Sequence, residues 1–596
     1  MAPPAITVSP GGGFLLESTG SSTIFTPEML TDEQLMMKKT ADDFMKGEVL
    51  PRLAEIEAKK PGLMRELLGK AGALGLLGHD VPEAYGGLDG DKSSSSLIAE
   101  SVAMQGSFAV SFGAHVGIGT MPIALFGTKA QREKYLPGLA SGEKIAAYAL
   151  TEPGSGSDAL AAKTKAVLSA DGKSWKLTGS KLYITNAGFA DVFTIFAKVD
   201  GEKFTGFIVD RNAPGLTIGP EEHKLGIRGS STCPLYLEDC TIPVDAVLGE
   251  IGKGHKIAFN ILNIGRWKLG VGATGGAKHI LEMGVKFAKE RKQFGKAIAE
   301  FDLIRKKIGE MATLIYVTES MGFRTAGLLD ARWKAVDPAD PKAQQKQLEA
   351  VEEYAIEASI LKVFGSEMLH YTADETLQIF GGAGYIEDYP IERASRDARI
   401  NRIFEGTNEI NRLLVPGTML KRALTGKLAL MQMVGEVQGE LADPIKIDRR
   451  EPEGPLGRER KKCDYAKRAI VYAASLGVQK YMQQISDKQE LLGGLADCMI
   501  LTFGMDSAIS RTLQMVASKG EEKSRIALAM TQMFVAKAHE DVFDMIREML
   551  MWMSQEEEWG REVRDVNTYY TLDRVNSFSL RRKIALHTIE HGGYAL

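Results

Sequence analysis

The hydrophobic period of this chain changes twice, and that change limits its fold more than any other feature. Between about Lys144 and Gly254 the apolar residues form short β-branched and aromatic runs, WKLTGSKLYITNA, DVFTIFAKVD, KFTGFIVD and LYLEDCTIP, separated by turn residues. These runs predict an antiparallel β-domain of five to eight strands. On either side, from Thr31 to about Ser141 and from Ile257 to about Leu424, the spacing is that of amphipathic helices. At 596 residues the chain is too long for one compact core.

The expected fold class is mostly α with a central β-domain. A lead-in covers 1–30, a helical domain 31–145, the β-domain 146–255, a helical domain 256–424, a linker or surface segment 425–462, and an extra helical domain 463–596. The lead-in is rich in Gly, Ser and Pro and is expected to be poorly ordered. Thr31-Asp-Glu-Gln34 fits a capping box, and Leu35, Phe44 and Leu50 continue that helix amphipathically. VPEAYGGLDG (Val81 to Gly90) and Asp337-Pro-Ala-Asp-Pro341 read as inter-helix loops. DRREPEGPLGRERKK (Asp448 to Lys462) reads as a linker, with helix again over Tyr465 to Ser554 and Asp573 to Glu590.

A formal net charge of −4 argues against a nucleic-acid partner, which calls for a concentrated basic excess. Cys233, Cys240, Cys463 and Cys498 show neither CxxC nor metal-ligand spacing, so a reduced compartment and no metal are expected. No basic-flanked leader opens the chain and no uninterrupted apolar stretch reaches about 18 residues, so a soluble intracellular protein is expected.

Several segments carry candidate chemistry. In RIFEGTNEINR (Arg402 to Arg412), the carboxylate Glu405 precedes Gly406 and a Thr-Asn pair able to cap a helix. In YALTEPGSGSDA (Tyr148 to Ala159), small and hydroxyl residues expose backbone N–H groups to an anionic or heteroaromatic ligand. GSKLYITNAG places Tyr183 and Thr185 on one strand face by alternation. ERKQFGKAI (Glu290 to Ile298) ends a helix with a basic cluster. QIFGGAGYIED (Gln378 to Asp388) is a glycine-rich turn that lacks the GxGxxG spacing of a dinucleotide fingerprint. Each alone is more often an ordinary loop, turn or core element.

In this order and spacing the pieces closely resemble the acyl-CoA dehydrogenase family, from about Thr31 to Met419. The likeness is greatest to its very-long-chain members, with FGAHVGIG, LFGTKAQREKYLP, TESMGF and the C-terminal DKQELLGGLAD as further shared stretches. The resemblance implies the family's helical, β-barrel-like and helical-bundle fold plus an extra C-terminal helical domain. It implies FAD-dependent α,β-dehydrogenation of long- to very-long-chain acyl-CoA to trans-2-enoyl-CoA in fatty acid β-oxidation, with electrons passed to an electron-transfer flavoprotein. The implied setting is the cytoplasm of a bacterium or the mitochondrial matrix side, peripheral to the inner membrane.

By the same resemblance Glu405 is the base. A minority of the family carries its base just before the arginine of ILNIGRW, but that position is Gly265 here. Tyr148, Leu150, Thr151, Gly156 and Ser157 should line the flavin, with Tyr183, Ile184 and Thr185 against its ring; Tyr183 stands where the family usually has tryptophan. Arg291, Phe294, Gln378, Gly381 and Gly382 should hold the adenosine diphosphate end, partly across a subunit interface. Thr407, Asn408 and Glu409 form another flavin contact. Ser157, Asn263, Arg266, Phe404 and Gly406 should meet the substrate. Pro416 departs from the pattern and should end or kink its helix.

Two alternatives stay open: an acyl-CoA oxidase on the same fold, against which the terminal GGYAL offers no peroxisomal address, and a respiratory-complex assembly factor. Gly113, Gly117 and Gly119 either deepen an acyl cavity or serve close helix packing by small residues. The extra C-terminal helices should cover the core face that a second dimer would otherwise occupy, giving a homodimer. In the segment from Lys421 to Leu441, basic residues beside Leu424, Leu428 and Met431 at helical spacing fit a peripheral membrane contact, while its small net charge and Gly426, Gly435 and Gly439 favour packing or local disorder instead.

Overall fold

The computed structural model describes residues 5–337, 339–340, 342–572 and 575–596. The first helical block holds α1 (Asp32–Phe44), α2 (Leu53–Glu57), α3 (Leu63–Ala73), α4 (Lys92–Val102), α5 (Gly106–Gly113), α6 (Met121–Phe126) and α7 (Lys129–Ser141). The capping box at Thr31 forms, its hydroxyl accepting from the Gln34 amide while the Gln34 side chain accepts from the Thr31 amide. Two donors that a helix start leaves free are thereby satisfied. Phe44 is buried but Leu35 is exposed, because the first turn of α1 lies beyond the core edge that Ala41 and Phe44 reach.

The β-domain contains β1 (Ala146–Ala149), β2 (Lys165–Leu168), β3 (Ser174–Thr185), β4 (Val192–Val199), β5 (Lys203–Asp210), β6 (Leu216–Ile218), β7 (Thr232–Pro243) and β8 (Val247–Leu248). They form one sheet in the order β6-β7-β3-β2-β4-β5-β8, with β1 beside β4. The sheet is not wholly antiparallel, since β1 and β2 both run parallel to β4. Alternating burial along each strand had no means of revealing that crossover.

The second helical block holds α8 (Gly254–Glu290), a hairpin of β9 (Lys292–Gln293) and β10 (Lys296–Ala297), α9 (Asp302–Lys334), α10 (Ala343–Glu353), α11 (Ala355–Phe380), α12 (Pro390–Ala398) and α13 (Asn408–Leu424). The loop foreseen at 337–341 separates α9 from α10, although Pro338 and Pro341 lie outside the described residues. Helices α8 and α11 run parallel in close contact. A Cβ on Gly270 would come within 2.5 Å of Leu361, and one on Gly284 within 2.9 Å of Thr376. Further along, Phe287 stacks on Phe380 with centroids 4.0 Å apart. Pro416 does not end its helix. α13 continues to Leu424 with Val415, Pro416 and Met419 buried, so packing offsets the missing backbone donor.

The C-terminal block holds α14 (Leu430–Ala442), α15 (Gly457–Tyr481), α16 (Gln489–Lys519), α17 (Arg525–Met553), α18 (Glu556–Asn567) and α19 (Ser577–Glu590). The expected helix start at Asp573 lies outside the described residues. The linker is shorter than expected, because the charged run after Gly457 is already helical and buries Glu459 and Lys462. Leu424, Leu428 and Met431 do not share one helix. α13 ends at Leu424 and α14 begins at Leu430, and between them Gly426 adopts φ +70. Leu428 is buried while Leu424 and Met431 are exposed.

The lead-in is also not loose. Phe14 and Leu15 are buried, and the Phe14 ring lies 4.9 Å from that of Phe503 on α16. The Gly11 and Gly12 amides donate to Glu353 and Glu357, and the Thr19 amide donates to Asp464. The apolar Phe14-Leu15 pair outweighs the turn-forming residues around it and straps the second helical block to the C-terminal one. These two blocks share a continuous core, and Arg324 of α9 pairs with Asp506 of α16 at 2.6 Å. Segments 106–126 and 489–519 are each apolar and long enough to cross a membrane by composition, which the sequence reading overlooked. Both are mostly buried inside the protein.

Candidate active site

Between α12 and α13 the chain makes a strained turn. Glu405 has φ +60 and Gly406 φ +79, after which Thr407 caps α13 by accepting from the Ile410 amide. A left-handed conformation at a non-glycine residue costs about 1–2 kcal/mol, so surrounding contacts must over-determine it. They do so at three successive carbonyls. Glu405 O accepts from Arg266 Nε at 3.0 Å, Gly406 O from Lys362 Nζ at 2.8 Å and Asn411 Nδ2 at 2.9 Å, and Thr407 O from Asn411 Nδ2 at 3.0 Å. All three donor side chains are buried.

The Glu405 carboxyl is not held in this way. Its Oε2 is buried without a hydrogen-bond partner, and the group rests against Gly265 on α8. A Cβ built on Gly265 would meet Oε2 at 2.5 Å and Oε1 at 3.0 Å. Burial pushes the Glu405 carboxyl up to about 7, opposed by the charges of Arg266 and Lys362. Beside it lies Tyr148 of β1, whose buried hydroxyl also lacks a partner; burial and the Glu405 charge push its ionisation well above the ordinary range. A carboxylate with a free lone pair that changes protonation near neutrality suits a general base.

Glu405 and Phe404 line the end of a largely apolar cavity of about 260 Å³. One wall is a face of α8 running through Gly265, Leu269, Gly272, Gly276, Ile280 and Met283. Eighteen residues of α-helix extend about 27 Å. Facing it are Ile98 and Val102 of α4 with Gly113 and Gly117 of the α5 end and the π-turn after it. A Cβ on Gly117 would meet only Lys268, at 3.9 Å, and one on Gly113 nothing within 4 Å. Gly119 does not deepen the cavity. It packs on Ala146, where a Cβ would come within 2.8 Å, so its missing side chain serves helix–strand contact.

A second, more open surface adjoins the base. Tyr148 and Leu150 anchor it in the core, and Thr151 O accepts from the Leu182 amide. Gly156 and Ser157 are exposed, with nothing within 4 Å of a Cβ on Gly156. Strand β3 is irregular here, because its pairing with β7 shifts between Lys181 and Ile184. Strict alternation therefore fails at Tyr183, which takes φ +60 and is 62% exposed. Ile184 points into the core and Thr185 lines the cavity. The bulge presents an aromatic side chain beside a hydroxyl-rich loop. An exposed ring, open glycines and two orphaned buried polar atoms nearby fit a flat heteroaromatic group such as a flavin.

Other expected residues fall elsewhere. Asn263 and Arg266 form a buried pair at 2.9 Å, and Arg266 reaches the backbone of Glu405. The Asn408 side chain turns inward, away from the open surface. It is 1% exposed, and its amide is committed to Lys362, Ser366 and Glu367. Glu409 is exposed, and its carboxyl is held low by the helix start and by Thr407. Arg291, Phe294, Gln378, Gly381 and Gly382 gather where α8 and α11 end, joined by the Phe287–Phe380 stack. Phe294 tips the β9–β10 hairpin and is 93% exposed. Twenty-six residues of α8 separate Gly265 from Arg291, a rise of roughly 39 Å. The two groups therefore do not meet in one chain. The sequence reading missed Lys362 and Asn411; a lysine set within the apolar run ILKVF was the available signal.

Family models describe all four parts of the chain. They match the acyl-CoA dehydrogenase N-terminal domain over 31–143, the middle domain over 147–240, and acyl-CoA dehydrogenase C-terminal domains over 252–420 and 465–562. The chain is 50% identical to a probable acyl-CoA dehydrogenase of Bacillus subtilis, covering 93% of each. It is 37% identical to the bovine mitochondrial very long-chain specific acyl-CoA dehydrogenase, over 84% of this chain and 74% of that one. A Bacillus anthracis acyl-CoA dehydrogenase solved with FAD superposes with a TM-score of 0.96 at 45% identity, over 98% of this chain and all of the other.

Proposed function

The chain belongs to the acyl-CoA dehydrogenase family, and from that premise we propose that it dehydrogenates long- to very-long-chain acyl-CoA thioesters across the α–β bond, with Glu405 as the base. The observation that carries this reading is the unpartnered Glu405 carboxyl at the end of the long apolar cavity. A thioester carbonyl makes the α C–H weakly acidic, and a positioned carboxylate removes that proton. FAD is the cofactor, and when bound it supplies the acceptor for the β hydrogen as hydride. The chain's own residues set the geometry: Gly265 leaves room for the carboxyl, Arg266 and Asn411 fix the turn, and the α8 face holds the acyl tail. The next electron acceptor is an electron-transfer flavoprotein. Bleaching of the flavin by acyl-CoAs of graded length, without and with that partner, tests the substrate and the acceptor in turn.

Length of cavity supports the long-chain preference. One acyl chain of a bilayer spans roughly half of a hydrocarbon core about 30 Å thick, well short of the α8 face of about 27 Å. Gly117 lies beside Lys268, one helical turn from Gly265. Gly117→Leu should therefore take space from the channel wall and lower kcat/KM for C16 relative to C8 by about tenfold or more, at ~0.8 kcal/mol per excluded methylene. An unchanged profile across chain lengths would count against the channel.

The second group of residues completes the flavin site of another subunit in a homodimer. No single molecule of cofactor bound beside Glu405 can reach Arg291 of the same chain at roughly 39 Å along α8. Arg291→Ala should release FAD on dilution and leave the dimer intact by light scattering. Wild-type FAD retention, or a monomer that keeps its flavin, would refute the shared site.

A further inference from the structure

The catalytic turn is held from behind by a lysine that the scheme above does not use. Lys362 lies in the first third of α11, between Leu361 and Val363, and is fully buried. An ammonium removed from water costs several kcal/mol unless acceptors replace the solvent. Two do: Lys362 Nζ donates to Gly406 O at 2.8 Å and to Asn408 Oδ1 at 2.7 Å. These acceptors flank Thr407, in the stretch of chain that leaves the base. Asn408 donates in turn to Ser366 at 3.1 Å and Glu367 at 3.0 Å. Arg412 clamps Glu367 at 2.9 and 3.1 Å and reaches Asp497 of α16 at 2.8 Å. All of this bracing falls on backbone and neighbouring side chains, and Oε2 of Glu405 stays unbound.

We infer that Lys362 is a positioning residue for the dehydrogenation, holding Gly406 and Asn408 so that the left-handed turn keeps the Glu405 carboxyl against Gly265. This rests on Glu405 being the base. The charge of Lys362 also favours the ionised form of that carboxyl. The groups around Lys362 are Glu405 and Glu409 from the turn and α13, Arg266 from α8, and Glu367 from its own helix; Tyr148 of β1 faces Glu405. Burial pulls Lys362 down to about 7, and Glu405 is the largest opposing influence.

The test uses the FAD-bound full chain with palmitoyl-CoA and three variants: Lys362→Met, Lys362→Gln and Lys362→Arg. Flavin content and thermal midpoint establish folding. Lys362→Met should lower kcat roughly 10- to 100-fold, the range expected for a misplaced reacting group, and leave KM within about threefold. The acidic limb of kcat/KM should move up by roughly half a pH unit or more as the base loses a nearby positive charge. Lys362→Arg should return that limb to its wild-type place. If Lys362→Met does not fold, Lys362→Gln carries the same two measurements. Near-normal kcat in a folded neutral variant overturns the inference, as does a fall in kcat with an unmoved limb. Folding of the arginine variant alone would make the lysine a folding residue and also overturn it. Normal turnover in Glu405→Gln would instead remove the premise, so the two failures are distinguishable.

Discussion

Glu405→Gln should keep its flavin and lose about 10³-fold in kcat, within the range general-base removal produces. The amide matches the carboxyl in size, so the contact with Gly265 and the strained turn survive while the proton acceptor is lost. Anaerobic palmitoyl-CoA should bleach the wild-type flavin rapidly and that of the variant only slowly. The pH dependence follows from the same group. Because burial raises Glu405 to about 7, the free enzyme holds the required carboxylate above that pH and the inactive acid below it. Wild-type kcat/KM should therefore climb with pH, half-developed near 7, and the residual rate of the glutamine variant should show no such limb. Turnover in that variant near the wild-type rate would sink the assignment of the base.

Gly265→Ala should be nearly as damaging, although the substitution adds one methyl group to a helix and touches no charge. The new Cβ would stand 2.5 Å from Glu405 Oε2 and 2.7 Å from Cδ, well inside van der Waals contact. The turn is tied at three carbonyls, so the end of the glutamate side chain moves rather than the backbone. A displacement near 1 Å at a reacting group costs on the order of 10²-fold. Flavin content should be unchanged, because the atoms nearest to the new Cβ all belong to Glu405 and not to Gly156, Ser157 or Tyr183. In a Glu405→Gln background the same alanine should cost little further, a non-additivity that marks one shared target. A fully active alanine variant would show that the carboxyl does not work from this position.

Much of this protein was legible from local pattern. The capping box at Thr31, the period-two runs of the β-domain and the long helical segments are determined by neighbours within four residues, so they survive any tertiary context. The motif around Glu405 singled out the candidate base and its turn, because a carboxylate, a glycine and a capping threonine are themselves the turn. What failed were inferences that needed partners distant in sequence. Phe14 and Leu15 order the lead-in only because Phe503 waits nearly five hundred residues away. Tyr183 escaped its expected strand face because a bulge against β7 is a property of the pair, not of β3. That the Asn408 side chain turns inward could not be read locally either, because its partners, a buried lysine on α11 and Glu367 beside it, are some forty residues away.

The sequence by itself therefore determined the order of elements, the family and the candidate for the base, since each depends on short contiguous stretches. Only the tertiary structure decided how that base is made to act. Burial raises its proton affinity, Gly265 leaves it a place, and Lys362, Arg266 and Asn411 fix its backbone; none of these lies within five residues before or after Glu405. Desolvation and hydrogen-bond geometry are set by whatever packs around a group, and for Glu405 that environment is assembled from α8, α11, α13 and β1.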